Sequence, residues 1–191
     1  MLVGDPSVFA IESDITQVFE SDGKRALGYF LLYVHGKQFG VKKKDATLLA
    51  CSFDAVEKRL QKRYEHVASF AGTATAEAIV SAFREALYDL RQDIQLPLGF
   101  PSDELQELIL ERDLVWAPDG DEAFDDGGHV LQFDLGETVR IIAFKNLETW
   151  YATSETIVES QLNAQIFYDT LMQWATAFER DRQRRLCSSG G

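Results

Sequence analysis

Two turn signals bracket the segment that most limits what this chain can fold into. Gly4-Asp5-Pro6-Ser7 reads as a turn, because proline fixes φ and an aspartate side chain can accept a hydrogen bond from the backbone two residues on. His35-Gly36-Lys37 reads as a tight hairpin turn. Between them, residues 8–15 place Phe9, Ile11, Ser13 and Ile15 on one face, the two-residue period of a strand. Glu20-Ser21-Asp22-Gly23 marks another turn, and residues 27–34 are rich in Tyr, Phe, Leu and Val. That near-continuous apolar run predicts a strand buried on both faces. Residues 38–41 extend the chain past the hairpin turn. The chain therefore opens as an antiparallel meander.

The period then changes. Asp54 with Glu57 predicts a capping box, and Val56, Leu60, Tyr64 and Val67 follow at helical spacing. After the break at Gly72-Thr73, Ala76, Ile79, Val80, Phe83, Leu87 and Leu90 predict a strongly amphipathic helix. Leu96-Pro97-Leu98-Gly99-Phe100-Pro101 is a connector. Ser102 is the expected cap of a short helix with Asp103 and Glu104 in its first turn. Residues 129–133 and 138–144 read as a second hairpin around Gly136. Residues 157–162 fit either a last strand or the start of the helix that follows, which is marked by Ile166, Phe167, Leu171, Trp174 and Phe178.

The expected class is α+β, an antiparallel sheet (N-terminal meander plus later hairpin) packed against several helices including a long C-terminal helix. A chain of 191 residues suits one domain, read here as residues 1–186, with 187–191 as a disordered tail. Apolar content of 46% and aromatic content of 12% fit a folded core. No apolar run approaches the roughly 20 residues of a membrane span, and the start lacks the basic residues of a secretory signal, so the expected compartment is the cytoplasm.

The opening is also diagnostic. Gly4-Asp5-Pro6-x-x-Phe9-Ala10-Ile11, followed by a strand ending in Gly36-Lys37-Gln38-Phe39-Gly40, resembles the immunity protein 42 family, the small bacterial antidotes encoded beside polymorphic or contact-dependent toxins. The resemblance is dense from Gly4 to Gly40. It implies a non-catalytic protein that binds and silences one toxin. It names no cofactor and does not identify the toxin. The Gly-Asp-Pro turn itself reads as a structural device that launches the first strand.

Charge agrees with a protein partner. A formal net charge of −12 opposes nucleic acid and anionic membranes and favours a basic partner; acidity for solubility alone is the plainer alternative. Between Glu111 and Glu137 the one Lys or Arg is Arg112, and Asp119, Asp121, Glu122, Asp125 and Asp126 crowd eight positions. Such a run predicts an exposed loop. It is the candidate toxin-binding surface, able to face a basic groove if the toxin is a nuclease, with Trp116 and Phe124 as candidate apolar anchors.

Other chemistry is poorly represented. Read as a calcium loop from Asp119, the cluster puts Ala123, Phe124 and Val130 where oxygen ligands or glycine belong. His35, His66 and His129 have no metal-type spacing, Cys51 reads as a small core residue, and Cys187 lies in the terminal tail. No nucleophile-elbow, zinc-protease or phosphate-loop motif occurs. Lys42-Lys43-Lys44 reads as an exposed gatekeeper run. The rival readings are a general interaction or regulatory module without a toxin partner, and an enzyme built from dispersed acidic residues.

Overall fold

A computed structural model describes residues 1–20, 26–88, 98–116 and 122–189. The opening turn forms as its residues dictate. Asp5 accepts hydrogen bonds from the Ser7 amide (2.9 Å) and hydroxyl (2.7 Å), which hold its carboxyl below the usual carboxylate range. The turn joins β1 (Leu2–Asp5), a strand the sequence reading did not foresee, to β2 (Phe9–Val18). Strand β3 (Ala26–Val34) pairs antiparallel with β2, and β4 (Lys37–Phe39) follows. His35 and Gly36 have φ of 48° and 78°, the two left-handed residues of a hairpin turn whose twist matches its strands. The expected meander is thus a sheet in the order β1-β2-β3-β4, with β5 (Thr47–Leu48) also paired to β3. Residues 21–25, including most of the predicted Glu20–Gly23 turn, lie outside the described residues.

A bulge between Ile15 and Gln17 brings Gly28 against β2. A Cβ there would stand 1.9 Å from the Asp14 carbonyl oxygen, so no other residue fits without moving the backbone.

Helix α1 (Leu49–Gln61) departs from the predicted start. It follows β5 directly, its N-cap Leu48 offers no side-chain bond, and Asp54 lies inside it. Packing of Leu49, Phe53 and Val56 on the core replaces a cap. Tyr64 (φ 69°) and Val67 lie beyond its end and are exposed, and Cys51 faces solvent because the buried stripe runs along the opposite side. Helix α2 (Ala76–Tyr88) buries Ile79, Val80 and Phe83 as expected, while Leu90 lies outside the described residues, which omit 89–97. Helix α3 (Ser102–Glu111) begins after Pro101, with no side-chain cap from Ser102.

The later hairpin, β6 (Gly128–Leu135) and β7 (Thr138–Lys145), forms a sheet of its own with β8 (Val158–Asn163), so the ambiguous segment is a strand. A short helix, α4 (Trp150–Ser154), links β7 to β8, and α5 (Ala164–Ser189) closes the chain. It continues into the stretch read as a tail; residues 190–191 lie outside the described residues. Of its predicted face, Phe167, Leu171, Trp174 and Phe178 are buried, but Ile166 is exposed.

One core joins both sheets. Phe9, Ile11, Phe30 and Leu32 from the first sheet and Val130, Val139 and Ile141 from the second enclose Phe167, Trp174 and Phe178 of α5. The indole of Trp174 donates to Ser13 Oγ at 2.9 Å, which satisfies its buried N–H. The second sheet's other face, Leu131, Phe133, Ile142 and Phe144, packs on α2 and α3. No described helix is long and apolar enough to cross a membrane.

Candidate functional site

The acidic run is divided by the fold. Asp119 and Asp121 lie outside the described residues, which omit 117–121. Residues Glu122–Phe124 form a single 3-10 turn whose Ala123 and Phe124 are buried, Phe124 against the Phe30 ring at 6.3 Å. Glu122 and Asp125 are exposed. Asp126 is a fastener: it accepts from the Gly128 amide (3.1 Å) and the Gly40 amide (3.3 Å) and pairs with Lys145 (2.9 Å). Trp116 corrects the expectation of an apolar anchor. It is 3% exposed, edge-on to Phe9 at 6.0 Å and beneath the Arg59 guanidinium at 4.5 Å, so it is packed in the core instead of standing on the surface. Phe124 is ruled out as an anchor on the same ground.

The fastened loop touches an aromatic surface that sequence reading missed. The Asn146 amide donates to the Gly127 carbonyl at 2.9 Å, which places Asp125 and Asp126 beside the segment leading into α4. There Leu147 is 39%, Trp150 40% and Tyr151 71% exposed. The segment is rigidly held. Arg84 of α2 donates through Nε to Asn146 Oδ1 (2.7 Å) and through Nη2 to the Leu147 carbonyl (3.1 Å), and lies over the Trp150 ring at 5.9 Å. Buried Thr153 accepts from the Leu147 amide at 3.0 Å, and Thr149 caps α4 by accepting from the Ala152 amide at 3.2 Å. The neighbouring Glu155 carboxylate pushes the Tyr151 phenol pKa up. The spacing Trp-Tyr in so short a helix was the available signal, but only exposure distinguishes such a pair from core.

Several other buried polar groups are engaged by hydrogen bonds. Arg59, 4% exposed, donates to the Asp113 carbonyl (3.0 Å) and Gln132 Oε1 (3.1 Å); burial pushes its pKa down to about 9, which leaves it charged at neutral pH. Asp134, 5% exposed, accepts from Tyr168 (2.9 Å), Gln132 Nε2 (3.2 Å) and the His66 amide (3.1 Å). Burial pushes the Tyr168 phenol up, so it stays a donor. His66 is fully buried with Nδ1 on the Arg112 carbonyl (2.8 Å); desolvation, then the Arg59 charge, lower its pKa. His129 engages both ring nitrogens, Nδ1 with the Gly127 carbonyl (3.0 Å) and Nε2 with the Tyr88 hydroxyl (2.8 Å), at the wall of a cavity of about 400 Å³. A histidine so committed is poorly placed to act as a general base. Among the described residues no group of three or more His, Cys, Asp or Glu side chains could hold a metal ion.

The sequence model of immunity protein 42 matches residues 1–177. No curated protein sequence matches the chain. The fold is similar to the crystal structure of CdiI from Burkholderia dolosa AUO158, at 15% identity and a TM-score of 0.61, covering 93% of this chain and 99% of that one.

Proposed function

We propose, from the premise that this chain belongs to the immunity protein 42 family, that it is a non-catalytic antidote that acts in the cytoplasm by binding one cognate toxin stoichiometrically. The family match over residues 1–177 is the observation that carries this reading. It extends far beyond the opening motif and spans both sheets and about half of α5.

The mechanism follows from charge and rigidity. A protein of net charge −12 attracts a basic surface, speeds encounter and disfavours acidic competitors. A toxin that handles an anionic substrate, a nuclease for example, would expose such a surface at its substrate groove. Asp119, Asp121, Glu122, Asp125 and Asp126 are the assigned contact surface. Glu122 and Asp125 are free to reach a partner, and Asp126 contributes through the loop geometry it maintains. Inhibition would come from covering the toxin's site, with no covalent step.

The test is co-expression with the toxin domain encoded immediately beside the gene, scoring survival and co-purification. Rescue with a 1:1 complex is the expected result. Neither rescue nor complex would leave a general interaction module as the better reading.

A further inference from the structure

We infer that the α4 surface, Leu147, Trp150 and Tyr151, is the apolar anchor of the toxin interface and that its occupant presents an apolar recess rimmed by lysine or arginine. This inference rests on the proposed antidote role and deepens it.

Three observations converge on this surface. First, two aromatic side chains and a leucine within five residues of one another are exposed, Tyr151 at 71%. Trp, Tyr and Arg are the residue types most enriched at binding hot spots, and Arg84 lies against the same Trp150 ring. Second, the patch is immobilised before any partner arrives. Arg84 fastens Asn146 and Leu147, Thr153 fastens Leu147 again, and Thr149 caps α4. A preorganised surface loses less conformational entropy on binding. Third, the rim is acidic. Asp125 and Glu148 are exposed and make no ion pair among the described residues, and Glu155 at the end of α4 is exposed as well. Of the nearby cations, Lys145 is paired with Asp126 (2.9 Å), while Lys37 and Arg84 donate to neutral oxygens and keep their charge, so Asp125, Glu148 and Glu155 outnumber them by one.

The open face of the first sheet is the rival surface, and it is self-satisfied. Tyr33 and Tyr29 donate to Glu12 at 2.7 and 3.1 Å, and Lys42 pairs with the same carboxylate at 2.7 Å. A second copy of this chain is a poor occupant for α4, because a two-fold contact would set the same carboxylates against each other.

The experiment measures affinity of the purified neighbouring toxin domain for wild type, Trp150→Ala/Tyr151→Ala, Tyr151→Ala alone, and Leu110→Ser, an exposed apolar control on α3. Melting temperatures of the free proteins and sedimentation of the wild type accompany it. The double variant should bind at least about 30-fold more weakly, and Tyr151→Ala about tenfold, with Leu110→Ser unchanged. Tyr151→Ala should melt within about 2 °C of wild type, which separates lost contact from lost fold. Undiminished binding by both α4 variants would overturn the assignment while leaving the antidote role intact. Failure of the wild type to bind would remove that role and this inference with it. A wild-type homodimer dissolved by the α4 substitutions would reassign the surface to a second copy.

Discussion

Glu12 in the first sheet and Asp134 in the second both accept tyrosine hydroxyls, yet they sit in opposite environments. Glu12 lies on an open sheet face, where partial burial opposes ionisation but hydrogen bonds from Lys42, Tyr33 and Tyr29 outweigh it and keep its pKa low. Asp134 is nearly inaccessible, and its partners Tyr168, Gln132 and the His66 amide are themselves buried. The first sheet packs one face on the shared core, and its other face carries the half-buried Tyr29, Tyr33 and Glu12 over the buried Leu31. The second is sandwiched, with every residue of β6 from Gly128 to Asp134 buried. A partly buried carboxylate at an open sheet face, such as Glu12, can still turn to water when it loses a partner. A buried donor cannot, so one polar network in the sandwiched sheet carries far more stability than a similar cluster on the open one.

Substitutions can break or sharpen that contrast. The largest effect is expected from Trp174→Ala, which empties the core that both sheets share and should cost about 3–5 kcal/mol. Residues 1–186 are expected to unfold as one unit, so far-ultraviolet circular dichroism and tryptophan fluorescence should give superimposable urea transitions for the wild type; two separated transitions would divide the sheets. Next comes Asp134→Ala, which strands three buried donors and should cost about 3 kcal/mol by urea denaturation. A cost near that of an exposed site would dismantle the comparison.

A pH series probes the same network more gently. The folded-state pKa of His66 is depressed below the roughly 6.5 of the unfolded chain. Above that pH both states carry neutral His66 and the residue contributes no slope. Below it the unfolded chain takes up a proton that the folded one refuses, so stability falls as pH falls. His66→Asn, which can keep a donor toward the Arg112 carbonyl, should lose less stability between pH 7 and pH 5 than wild type; equal losses would clear His66. The smallest effect belongs to the open face: Glu12→Gln should change stability by under about 1 kcal/mol, since Lys42 is half-exposed. At the interface, neutralising Asp119, Asp121, Glu122, Asp125 and Asp126 together should slow toxin association about tenfold and flatten its salt dependence, read by stopped-flow at two ionic strengths.

Turn chemistry and strand period were legible residue by residue. Asp5 bonds Ser7 as its type predicts, His35-Gly36 makes the hairpin, and Gly136 (φ 73°) closes the second one. Burial was less legible. The apolar run of β3 reads as a two-faced core strand, but Tyr29 and Tyr33 face outward, their rings on the sheet and their hydroxyls on Glu12. The strands truly buried on both faces, β6 and β7, carry His129, Gln132, Asp134 and Arg140, whose polarity disguises them. Arg140 is tolerated because it donates to the Ala71 and Ala74 carbonyls and pairs with Glu159 at 2.8 Å. The acidic run was visible from charge density, whereas the aromatic surface beside it was not, since Leu147, Trp150 and Tyr151 have the composition of a core.

The sequence by itself determined the meander, the later hairpin, the α+β class, the acidic balance and, through its opening motif, the family. These depend on neighbours a few residues apart, where φ preferences and side-chain period act directly. Only the tertiary structure decided that the hairpin forms a second sheet, that Trp116 is core while Trp150 is surface, and that Asp126 ties a loop while Asp125 stays free. Those outcomes depend on which element packs over which face, and residues distant in the chain make that choice.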